Sequence, residues 1–118
     1  HAEALALLET LHGHVTTPRT RREILYWMAE SHGARGEHQR AGEYFLRSAY
    51  EEHATGGDPW GQTARYHAGE SLGKAGLTRD ARLVFQALLK HTEDAKQRAV
   101  IERSIQQLWL IENRTTTR

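Results

Sequence analysis

Apolar residues recur along this chain at helical spacing. In "HAEALALLETLHG", Leu5, Leu8 and Leu11 stand near one turn apart and the run ends at Gly13, which predicts a helix over 1–13. Thr17 and Pro18 open a second helix as N-cap and first helical residue, where the missing proline N–H costs nothing. Its stripe is Ile24, Leu25, Met28 and His32, and Gly33 and Gly36 mark its exit. A third helix runs from about Glu37 to His53 with Ala41, Tyr44, Phe45, Ser48 and Ala49 on one face. "ATGGD" breaks the chain, and Asp58 and Pro59 restart it as cap and first residue of a helix reaching Lys74 or Ala75. After the tight turn "AGLT", Thr78 is expected to cap a helix carrying Ala81, Val84, Phe85, Leu88 and Leu89. Thr92 is expected to cap the last helix, with Glu93 and Asp94 at the positive end of its dipole and a stripe of Ile101, Ile105, Leu108 and Trp109. "NRTTTR" reads as a polar, frayed tail. No segment alternates with a period of two, so the fold class is all-α, with about five substantial helices.

A second regularity overlies the first. "YWMAESHGARGEHQRAGEYF" at 26–45 returns forty residues later as "YHAGESLGKAGLTRDARLVF". Tyr26, Glu30, Ser31, Gly33, Gly36, Ala41 and Phe45 match Tyr66, Glu70, Ser71, Gly73, Gly76, Ala81 and Phe85. These are seven identities over the 24 positions 26–49 and 66–89, where chance gives about two. Each unit reads as helix, Gly-containing turn, helix. Neither helix of such a hairpin buries its whole stripe alone, so hairpins stack. Stacking needs small residues at close crossings, Gly in the turn, and one aromatic knob at the same place in each unit.

Those residues resemble a tetratricopeptide repeat array. The match runs through Leu25, Met28, Ala29, His32, Ala41, Phe45 and Ser48 in one unit and Arg65, Ala68, Gly69, Leu72, Ala81, Phe85 and Leu88 in the next. Arg65 and His32 depart from the family's pattern, as do His53 and Glu93 where the family closes on Pro. The unit is 40 residues long here, against about 34 in the family. The "ATGGDPW" connection absorbs the excess. The resemblance implies a single domain over 1–118: 1–13 as the second half of a truncated repeat, with Leu5 standing where Phe45 and Phe85 stand; 18–53 and 58–91 as repeats; 93–113 as a terminal or capping helix; 114–118 as tail. It further implies a right-handed superhelix whose first helices line a concave face that binds a peptide or partner protein, without catalysis or cofactor.

Composition narrows the alternatives. With 16 basic and 15 acidic residues the formal net charge is +1, which argues against a chain devoted to nucleic acid or anionic membrane. Cysteine is absent, which removes disulfides and thiolate chemistry but selects no compartment. No apolar run approaches the ~20 residues of a membrane span. No signal peptide is visible, and a chain opening on His1 rather than Met reads as a piece of a longer protein.

Gly33, Gly36, Gly73 and Gly76 are read as turn and close-contact positions, and Ala41, Ala81, Phe45 and Phe85 as inter-helix packing. Tyr26/Glu30 and Tyr66/Glu70 are candidate partner-binding residues. Each pair is i, i+4 and so shares a helix face, and rings beside carboxylates suit Arg or Lys of a peptide. The alternative is that the glutamates pair with neighbouring Arg or Lys while the tyrosines pack across the repeat interface. The eight histidines show no helical i, i+4 pair with a carboxylate between, so no metal site is expected. No nucleophile elbow or phosphate loop is present, and no enzyme is expected. "PRTRR" at 18–22 is the one compact basic cluster. Its alternative roles are pairing with Glu of a neighbouring helix, or contact with nucleic acid or an acidic partner along an Arg-rich edge. Finally, Trp109, Leu110 and Ile111 extend apolar character beyond one face of the last helix, which favours self-association through Trp109 and Leu110.

Overall fold

The computed structural model describes residues 1–14, 17–50 and 59–116. Six α-helices hold nearly all of them: α1 (Ala2–His14), α2 (Pro18–Ala34), α3 (His38–Tyr50), α4 (Pro59–Lys74), α5 (Thr78–Lys90) and α6 (Ala95–Thr116). No strand occurs among the described residues. The described residues are all-α, with six helices among them where the sequence pattern predicts about five. The break at 54–58 and the Asp58 cap lie outside the described residues.

Helix ends depart from the cap assignments in instructive ways. Thr17 has the extended backbone of an N-cap but makes no side-chain cap bond. Thr78 is the first residue of α5, and Leu77 stands at its N-cap. Thr92 closes α5 instead of opening α6: its hydroxyl donates to the Leu88 carbonyl at 2.8 Å. Asp94 caps α6, its carboxylate accepting from the Gln97 N–H at 2.9 Å. The α6 helix then runs on to Thr116, through part of the expected tail.

Every substantial helix contact joins neighbours in the chain, from α1·α2 through α5·α6. The molecule measures 48 × 32 × 18 Å, a slab thin enough for about two helix layers. Its core is a row of three clusters. Leu5, Ile24, Leu25 and Met28 join α1 to α2. Ala29, Ala41, Phe45 and Ala68 join α2, α3 and α4. Leu72, Ala81, Phe85, Leu88, Ile101 and Leu108 join α4, α5 and α6. Leu11, expected on the buried stripe of α1, is exposed, because α1 is the end of the row and has one neighbour to pack on.

The forty-residue offset recurs in three dimensions. Leu25, Met28, Ala29, His32, Ala41, Phe45 and Ser48 of α2 and α3, and Arg65, Ala68, Gly69, Leu72, Ala81, Phe85 and Leu88 of α4 and α5, are all buried. Tyr26 meets Phe45 edge-on at 5.1 Å, and Tyr66 meets Phe85 edge-on at 5.6 Å. Both hairpin turns are the same Schellman motif. Gly36 and Gly76 take φ of +80° and +85°, which residues with a Cβ rarely adopt. The Glu37 and Leu77 N–H groups reach back to the carbonyls of His32 and Leu72. Gly33 and Gly73 face the Ala41 and Ala81 methyls across the hairpin. The register extends to the last helix. A Cβ on Gly42 of α3 would lie 2.9 Å from Leu72 of α4. Forty residues on, Arg82 of α5 pairs with Glu112 of α6 at 3.2 Å.

Candidate functional site

Two clefts open on either side of α4. The first, about 390 Å³, lies between α2 and α4 over α3, and takes in Glu30, His38, Phe45, His67, Glu70 and Lys74. The second, about 320 Å³, lies between α4 and α6 over α5, and takes in Gln62, Tyr66, Leu88, Thr92, Val100 and Ile101.

The α2–α4 cleft gathers most of the candidate site. Tyr26 is half-buried at its edge, against Phe45, against Trp60 at 5.1 Å and against His67 at 6.0 Å. Burial first, then the carboxylates of Glu30 and Glu70, raise its phenol above the ordinary tyrosine pKa. Both glutamates therefore act on one hydroxyl, although forty residues separate them in the chain. Both are exposed at their own positions. Glu70 takes the His67 ring, with Nδ1 3.0 Å from Oε1. Glu30 has no Arg or Lys partner among the described residues. Among the described residues neither glutamate pairs with Arg or Lys. Each tyrosine ring is edge-on to the phenylalanine of its own hairpin, and Tyr26 also reaches across the repeat interface to Trp60 and His67. Lys74 closes the far end, so the cleft is acidic in its middle.

Tyr66 does not join this group. It shares a helix face with Glu70 but lines the other cleft, because α4 serves both and the two residues look toward different neighbours. His67 and Trp60 are site residues that the forty-residue pattern did not single out. His67 stands three residues before Glu70, a spacing that marks helical neighbours. Trp60 has no matching indole in the repeat: it lies beside Pro59 at the start of α4, and its indole N–H donates to the Ser48 hydroxyl at 2.9 Å.

Gly33, Gly36, Ala41, Phe45, Gly73, Gly76, Ala81 and Phe85 all serve the turns and joints described above and none lies at a reactive group. In the basic cluster, the Arg22 guanidinium lies 5.2 Å from the Trp60 ring centroid, Arg21 is half-buried, and Arg19 is exposed. On α6, Ile101 and Leu108 are buried and Ile105 half-buried, while Trp109, Leu110 and Ile111 are each about half exposed, at 50%, 51% and 50%.

Among the described residues no three His, Asp or Glu side chains converge as a metal set. No helix among them is long and apolar enough to cross a membrane. In comparisons with family models, curated proteins and solved structures, the chain matches none.

Proposed function

We propose that this chain is a non-catalytic, tetratricopeptide-like interaction module that binds a basic peptide segment in the cleft between α2 and α4. The observation that carries the reading is that Glu30 and Glu70 line one cleft with Phe45 and His67, beside the Tyr26 ring. Two carboxylates and a ring in one cleft suit an Arg or Lys side chain, which the carboxylates attract and the rings stack on. Phe45 supplies the apolar floor. The groups present bind and orient; none is a nucleophile paired with a base. A binding role along the Arg-rich edge has less support, since Arg22 is engaged with Trp60.

Glu30→Lys combined with Glu70→Lys tests the reading. Both side chains are exposed, so helicity should hold by circular dichroism. Binding of an amidated tri-arginine peptide, followed by isothermal calorimetry, should weaken at least about tenfold, in line with loss of a central charged contact. Equal binding by the folded double variant would refute it.

A second contact surface belongs to α6. Trp109 stands where Ala29 and Gly69 stand in the two hairpins, and those small residues lie under the helix that follows. Trp109, Leu110 and Ile111 form a half-exposed apolar patch of the kind that drives association. We assign this patch to a second copy of the chain. Sedimentation should show a concentration-dependent increase in mass that Leu110→Glu removes. A wild-type chain monomeric at millimolar concentration would overturn the assignment.

A further inference from the structure

The joint between α2 and α4 and the joint between α4 and α6 are the same place in the repeat, yet one is filled by a ring and the other is not. Between α2 and α4 the chain packs its own Trp60 into the joint. The indole lies against Tyr26 and beneath Arg22, and its N–H donates to Ser48. Forty residues on, the matching positions are Tyr66, Gln62, Leu88 and Val100. Tyr66, Gln62, Leu88 and Val100 all line the open cleft between α4 and α6. The tyrosine wall is preserved. The indole is replaced by a valine too short to cross the gap, and Val100 is left 47% exposed. The cleft of about 320 Å³ is the space that Trp60 takes in the first joint.

Its chemistry selects the occupant. Every residue lining it is uncharged, and Gln62 stands where Arg22 covers the indole. A charged side chain would lose its hydration here without a partner. An aromatic ring would bury apolar surface against Leu88, Val100 and Ile101 and meet Tyr66 edge to face. The Thr92 hydroxyl, whose proton is given to the Leu88 carbonyl, keeps its lone pairs for an indole N–H or phenol O–H. One turn along α4 from Tyr66 lies Glu70, in the acidic cleft. We infer that the α4–α6 cleft seats an aromatic side chain of the same peptide whose basic residue lies between Glu30 and Glu70. This inference rests on the groove reading above, and it specifies the peptide: an aromatic residue and a basic residue a few positions apart.

Uncharged N-acetyltryptophanamide serves as the probe, followed by methyl NMR. In the wild-type chain the methyls of Leu88, Val100 and Ile101 should shift saturably at millimolar probe, and N-acetylleucinamide should move them far less. Val100→Trp should fill the cleft as Trp60 does, leave the fold intact and weaken probe binding at least about tenfold. Trp60→Val should open a second slot and add probe-dependent shifts at Ala29 and Ala49, the methyls flanking Ser48 and Tyr26. Unmoved Leu88, Val100 and Ile101 methyls in the wild type, or undiminished binding by a folded Val100→Trp variant, would overturn the slot. Tri-arginine peptide binding separates the two readings. If it persists while the indole probe leaves the cleft unmoved, the groove stands and the slot fails. If the probe binds and the basic peptide does not, the slot stands as a site for an uncharged aromatic partner and the groove fails.

Discussion

The hairpin α2–α3 and the hairpin α4–α5 share one frame and differ in what fills it. In both, an edge-on tyrosine and a buried phenylalanine hold the pair together, and a left-handed glycine closes the turn. The turn is then finished in opposite ways. In the first, the residues closing it are His32 and Glu37, with Nδ1 and Oε1 3.6 Å apart and Arg35 3.2 Å from the same carboxylate oxygen. The His32 ring is buried and stacks on Tyr44. In the second, the closing residues are Leu72 and Leu77, both in the cluster around Phe85. The joints between hairpins differ likewise, Gly42 against Leu72 in one and Arg82 with Glu112 in the other. Backbone geometry and small-on-large packing are thus set by position in the repeat. The chemistry at each joint is free to vary, since a charge pair and an apolar pair can close the same turn.

The sharpest way to break the comparison is at its common element. Phe45→Ala and Phe85→Ala should each destabilise the chain by about 3 kcal/mol, the usual cost of emptying a buried aromatic site, read as a fall in denaturant midpoint. Similar losses mean that both hairpins rely on the same knob. A midpoint that hardly moves for either would show that the repeat register does not describe the packing.

A smaller effect should come from exchanging one turn for the other. His32→Leu together with Glu37→Leu replaces the polar closure by that of the second hairpin. Both His32 ring nitrogens are buried and make no hydrogen bond, while Glu37 is half-buried, and replacing both members of a polar pair by apolar groups of similar shape is neutral to stabilising. The expected change is between zero and a gain of about 1 kcal/mol in denaturant unfolding. A clear loss of stability would mean that the His32–Glu37 closure contributes more than its geometry indicates.

The smallest effect is electrostatic. Tyr26 has a phenol pKa raised by burial and by both glutamates, so the folded chain keeps that proton longer than the unfolded chain does. The corresponding stability is complete below pH about 10 and is lost as pH rises through the folded-state pKa. Glu70→Gln should lower the Tyr26 pKa only partway to its ordinary value, because burial is the larger cause. Phenolate absorbance, in a chain whose other three tyrosines are Phe, measures it. A Tyr26 pKa unmoved by Glu70→Gln would remove Glu70 from the groove that the first hairpin offers and the second does not.

Much of the molecule was legible in the order of residues. The stripe Ile24, Leu25, Met28, His32, the recurring Gly and Phe, and the absence of any two-residue alternation led to an all-helical chain of stacked hairpins. They could do so because helical period and turn chemistry are local, and a fixed offset repeats them where anyone can count. Caps were less legible. Thr92 and Asp94 stand two residues apart, and only the group each side chain reaches, the Leu88 carbonyl for the Thr92 hydroxyl and the Gln97 N–H for the Asp94 carboxylate, decides which of them ends α5 and which begins α6. What the tertiary structure alone decided is which neighbour each side of a shared helix faces. Tyr66 and Glu70 look alike in sequence to Tyr26 and Glu30, yet α4 turns Glu70 toward α2 and Tyr66 toward α6. Trp60 fills one joint and Val100 leaves the next one open. Those are consequences of contacts across tens of residues, which no local period records.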